Sequence, residues 1–189
     1  MRLISIRSII VIAAMTLAPI ASFAADDSNK LNEVFKNACV KAWMERSDKT
    51  SDKVTFKNFG EKYCDCAAGK PLDTDANIDK AARLCMSQLV LKDSIDNLES
   101  EKGLSSLTAD TFKTSCADEW NVLYPDMDAG MKDGTSSYCS CAAPKIETLN
   151  QDRDKLTDKE WYAKIDGIAE ECSTAVKADK GTVDSKKSQ

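Results

Sequence analysis

The 189-residue chain contains no histidine. This removes the Ser-His and Cys-His couples of nucleophilic catalysis and most zinc-hydrolase sites, in which imidazole serves as base or ligand. No phosphate loop, nucleophile elbow or dinucleotide fingerprint is present. Aspartate and glutamate are plentiful, yet no spacing singles out a catalytic pair. By elimination the chain is not expected to be an enzyme, and no cofactor is expected.

Other absences bear on the fold. There are only seven glycines and four prolines, and sustained two-residue alternation is nearly missing, so strand signals are weak. After residue 21 no apolar run approaches the roughly 20 residues needed to cross a bilayer. No Asn-x-Ser/Thr sequon occurs, which fits a bacterial source. The acidic stretches 126–133 and 152–158 lack the spacing of a calcium loop and are expected to be solvated surface. A metal site is not expected.

The amino terminus has the form of a secretory signal. Arg2 and Arg7 precede an apolar run from Ile9 to Ala21, and Ser22-Phe23-Ala24 places small residues where cleavage would fall. Residues 1–24 are therefore expected to be removed. Losing Arg2 and Arg7 takes the formal charge from −5 to −7. An acidic chain without a basic patch is a poor ligand for nucleic acid or for an anionic membrane surface, so neither is expected as a partner. All eight cysteines follow the cleavage point, and an even count in an exported chain predicts disulfides in a periplasmic or secreted protein.

The cysteines sit in a repeated pattern. Tyr63-Cys64-Asp65-Cys66-Ala67-Ala68-Gly69-Lys70 returns as Tyr138-Cys139-Ser140-Cys141-Ala142-Ala143-Pro144-Lys145, identical at six of eight positions. Ahead of each copy, Phe35-x3-Cys39-x3-Trp43 returns as Phe112-x3-Cys116-x3-Trp120. Behind each, Ile78, Ala82 and Cys85 return as Ile165, Ala169 and Cys172. The apolar residues in all of these segments recur at three- and four-residue intervals, which is helical. The expected fold is all-α: an internal duplication of two tandem disulfide-stapled three-helix units, at 25–102 and 103–178, followed by a disordered tail at 179–189.

Local signals set the expected helix limits. The first helix opens at Leu31, after a loose stretch from Ala25 to Lys30. Thr55 caps a second helix ending at Gly69. A third starts near Asp75 or Asn77 and gives way to a linker at 99–106. Thr108 caps the fourth, which Pro125 closes. Residues 126–137 are expected to be partly irregular, and Pro144 to stop the fifth helix. Thr157 and Glu160 form a capping box for the last.

Residues two apart on a helix point about 200° apart. The cysteines of each Cys-x-Cys therefore diverge and reach different neighbours. Eight cysteines allow on the order of 100 pairings. An antiparallel layout puts Cys64 level with Cys39 and Cys66 nearer the third helix. This favours Cys39–Cys64 and Cys66–Cys85, with Cys116–Cys139 and Cys141–Cys172 by the same count. The competing reading, a redox-active Cys-x-Cys, needs an exposed thiolate of low pKa and something to activate it. Phe35, Trp43, Phe112 and Trp120 are candidates for ligand or partner contact, though aromatics at helical spacing usually fill a core. The leading functional expectation is a protein that binds an unidentified protein partner in the cell envelope, of inhibitor, immunity or stress-chaperone type. The alternatives are a thiol-disulfide oxidoreductase or carrier, and a carrier of an apolar small ligand.

Overall fold

A computed structural model describes residues 24–175. The signal segment ahead of Ala24 and the expected tail at 179–189 lie outside the described residues. The described chain is all-α, without strands, and has six helices: α1 (Ala24–Met44), α2 (Lys53–Ala68), α3 (Asp75–Lys102), α4 (Ala109–Leu123), α5 (Ala129–Asn150) and α6 (Asp158–Cys172). Short 3-10 turns follow α1, α3, α5 and α6.

The caps explain most boundaries. Thr74 accepts from the Asn77 amide at the start of α3. Thr108 and Thr111 form a reciprocal box at α4, and Thr157 and Glu160 do so at α6. Each of these satisfies backbone donors that a helix start leaves free. Gly103, at φ 76°, ends α3 in a conformation that a residue with a Cβ rarely adopts.

Five expected limits are corrected. First, α1 already includes residues 25–30, which were expected to be loose. That stretch has no Gly or Pro to interrupt a helix. Second, α2 is capped by Asp52 rather than Thr55. The Asp52 carboxylate accepts from the Val54 and Thr55 amides and from the Thr55 hydroxyl, and these bonds hold its pKa below the usual range. Third, α3 continues through residues 99–102 before Gly103 stops it. Fourth, α5 begins at Ala129 because Asp128 accepts from the Met131 amide, so most of 126–137 is helical.

Fifth, Pro144 does not end α5. It lies inside a helix that runs on to Asn150. Proline removes one amide donor and so frees the carbonyl of Ser140, four residues earlier. Ser140 is exposed, so water can take over that acceptor. The buried Ala142, Ala143 and Ile146 anchor both sides of the break.

The longest helix, α3, organises the packing. It lies against α2, α4 and α6, while α1 packs on α2 and α5 packs on both α4 and α6. With three neighbours it buries more than one stripe: Ala81, Cys85, Met86, Val90, Leu91, Ile95 and Leu98, together with Ser87 and Ser94. Hydrogen bonds engage the Ser94 side chain and the Ser87 backbone. The Ser94 hydroxyl donates to the Val90 carbonyl at 2.6 Å, and the Ser87 carbonyl accepts from the Tyr138 hydroxyl at 2.6 Å. One apolar cluster draws residues from all six helices, from Trp43 in α1 to Trp161 and Ile165 in α6.

Candidate functional site

Four disulfides fix the helices pairwise. Cys39–Cys64 joins α1 to α2, Cys66–Cys85 joins α2 to α3, Cys116–Cys139 joins α4 to α5, and Cys141–Cys172 joins α5 to α6. These are the pairings that the antiparallel layout favoured. The Cα atoms lie 5.7–5.8 Å apart, an ordinary span for a bridge. In both Cys-x-Cys segments the two cysteines bond to different helices, as diverging side chains require. No described cysteine is a free thiol.

The aromatic residues form a chain through the core. Trp43 stacks on Phe56 at 4.9 Å and on Phe59 at 5.7 Å, and meets the edge of Tyr124 at 6.5 Å. Tyr124 in turn lies 5.9 Å from Trp120, whose ring meets Tyr138 edge-on. Of the four aromatics singled out in the sequence, Trp43, Trp120 and Phe112 are buried and Phe35 is half-buried. The Trp43 indole donates to the Phe56 carbonyl at 2.9 Å. It also presses on α2 at Gly60, where an added Cβ would sit 2.2 Å from the ring. Burial pushes the Tyr63 hydroxyl up to about 12 and also raises the Tyr138 hydroxyl.

Where this chain reaches the surface, the turn after α1 meets the end of α4. The Arg46 guanidinium lies 4.3 Å from the Tyr124 ring centroid and 5.1 Å from that of Trp43, and it donates to the Leu123 carbonyl at 3.0 Å. The Thr50 hydroxyl donates to the Val122 carbonyl at 3.1 Å. These two carbonyls belong to the last turn of α4, which has no helical donors left to it. The positive charge of Arg46 also suits the negative end of the helix dipole. Beside this junction is a surface groove of about 330 Å³, lined by Arg46, Lys49, Tyr124, Pro125, Met127 and Met131 among others.

A second groove, of about 290 Å³, runs between α3 and α4 and includes Asn97, Lys102, Thr114, Asp118 and Glu119. Glu119 is only 4 % exposed. Its Oε2 accepts from the Asn97 amide at 3.3 Å, and its Oε1 is buried without a partner among the described residues. Burial, reinforced by the charge of Asp93, pushes its carboxyl up to about 7.

Sequence reasoning missed Arg46, Tyr124 and Glu119. For Glu119 a signal was present. It stands three residues after Cys116 and seven after Phe112, on the apolar face of α4, where an acidic side chain is out of pattern. Arg46 carried no comparable signal, since the carbonyl it caps is 77 residues away. Among the described residues no cluster of side chains is suited to a metal ion. No helix there is long and apolar enough to cross a membrane. The chain matches no protein-family model, and no curated protein or solved structure shows significant similarity to it.

Proposed function

We propose that the protein is a non-enzymatic binding module of the cell envelope that engages a protein partner through the groove beside Arg46, as an inhibitor, immunity protein or stress chaperone would. The observation that carries this reading is the lining of that groove. An aromatic residue, an arginine and two methionines converge there on a rigid junction, and these residue types are the ones enriched at protein interfaces. The volume, about 330 Å³, suits one large anchoring side chain of a partner. Four disulfides support a compartment that is oxidising, the periplasm or the extracellular space.

The scaffold is read as two tandem three-helix units that arose by duplication, α1–α3 and α4–α6. Supporting this is the recurrence of Tyr-Cys-x-Cys-Ala-Ala in α2 and α5, with equivalent bridges to the helix before and the helix after. The thiol-exchange reading has less support. In each of the four bridges one cysteine or both are at most 1 % exposed, and such bridges are hard for an outside thiolate to attack. For an apolar-ligand carrier, the aromatics that would line a cavity are packed against one another.

The test is capture from envelope extract with the oxidised protein as bait, beside a double variant, Lys49→Glu with Met131→Glu, at the groove rim. The expected result is a stoichiometric partner held by the wild type and lost by the variant at unchanged helicity. Recovery of no partner, or equal recovery by both baits, overturns the assignment to this groove.

A further inference from the structure

We propose that Glu119 is a proton-binding site that governs how firmly α4 is held against α3, with the contact closed in mildly acid solution and loosened in alkaline solution. This goes beyond the partner-binding reading and does not depend on it.

The argument begins with the position of the side chain. Glu119 shares the buried face of α4 with Cys116 and Trp120, and its carboxyl is enclosed against α3. An ionised carboxylate offers about four lone-pair sites and wants donors at both oxygens. Here one oxygen has a single, long bond from Asn97 and the other has none. No cation is bonded to either oxygen among the described residues. The charge of Lys62 of α2 acts on the group, but Lys62 is bonded to Asp93 of α3 at 2.9 Å. Asp93 itself, and more weakly Asp52 ahead of α2, disfavour a second negative charge. The groove rim adds Glu101 and Lys102 from α3 and Asp118 from α4, and no α5 charge is among the groups acting on Glu119. The neutral acid is therefore the form that fits the closed contact.

When the proton leaves, the charge gains by reaching water, and the adjoining groove of about 290 Å³ is the route. Little else polar holds the helices together at this point. The Ser115 hydroxyl donates to the Ser94 carbonyl at 3.0 Å. Reaching water then means easing α4 away from α3.

The sign follows from linkage. The folded carboxyl titrates near 7 and the unfolded one near 4.5, so between these values the folded state holds more protons. Stability must fall as pH rises through that window, by up to about tenfold in the folding constant per pH unit, and level off above it. Asp96 of α3 is also raised by burial and adds a slope of the same sign. Only the part due to Glu119 disappears with its carboxyl.

The experiment is urea unfolding of the full oxidised chain from pH 5 to pH 9, for the wild type and Glu119→Gln. The wild-type midpoint should fall between pH 5 and pH 7, and the variant should show a markedly flatter profile and equal or exceed the wild type at pH 8. Hydrogen exchange, corrected for intrinsic rates, should show α4 less protected at pH 8 than at pH 6 in the wild type alone. Parallel profiles for the two proteins, or unchanged α4 protection, overturn the proposal. Should the variant fail to fold, the Glu119 carboxyl carbon can be followed by NMR in the wild type. A midpoint near 7 supports the proposal, and one in the ordinary glutamate range overturns it.

Discussion

Gly60 and Trp43 show how one residue sets the limit for another. The indole lies flat on α2 because position 60 has no Cβ, and from there it reaches the Phe56 carbonyl. A glycine in mid-helix costs about 1 kcal/mol in propensity relative to alanine. Replacing Gly60 by Ala would nonetheless be expected to destabilise the protein by about 1–3 kcal/mol, because the ring is rigid and hemmed in by Phe56, Phe59 and Tyr63. A lower urea midpoint together with an altered near-ultraviolet tryptophan signal would establish this; a gain in stability would mean that the ring can move aside. By local propensity alone a glycine at position 60 only weakens a helix. The contact that makes it necessary involves a residue in another element, so no local pattern could reveal it. The same holds for Arg46, whose partners Tyr124 and Leu123 lie far along the chain.

At the scale of elements, some caps are legible in the sequence, whereas the fate of a helix at a proline is not. Thr108 caps α4 as expected, and Thr157 caps α6 in the box that its spacing to Glu160 indicates. A cap is a short-range bond, complete within four residues of sequence. Proline at 144 is different, because whether a helix survives it depends on the packing on either side. Burial of Ala142, Ala143 and Ile146 carries α5 across. Since Pro144 is exposed and leaves the Ser140 carbonyl without its helical donor, Pro144→Ala should stabilise the protein by about 1–2 kcal/mol once the freer unfolded chain is allowed for. Thermal unfolding would show it as a raised midpoint; a lowered one would mean that the proline ring itself contributes packing.

For the molecule as a whole, the bridges and the single apolar cluster share the work of stability. Each bridge closes a loop with a sequence separation of 19 to 31 residues, worth about 3–4 kcal/mol in the chain-entropy account. Four of them together are comparable to the roughly 5–15 kcal/mol by which whole domains are stable. Full reduction should therefore abolish most of the helical circular dichroism at 37 °C, and retention of native helicity in excess reductant would show that the core alone suffices. The all-α class and the bridge pairing were legible because helical periodicity and cysteine spacing are properties of the chain itself. The grooves were not, since each forms where residues distant in sequence meet, Arg46 with Tyr124 in one and Asn97 with Glu119 in the other.

The bridge pattern also bears on how the protein is made. Taken in order along the chain, the cysteines are joined first to second, third to fourth, fifth to sixth and seventh to eighth. A chain emerging amino terminus first from a channel presents its thiols in that same order. An oxidase that joins each new thiol to the unpaired one just ahead of it would arrive at the native set without a reshuffling step. The biosynthesis of this protein should then be limited by the supply of oxidant and indifferent to the loss of a disulfide isomerase.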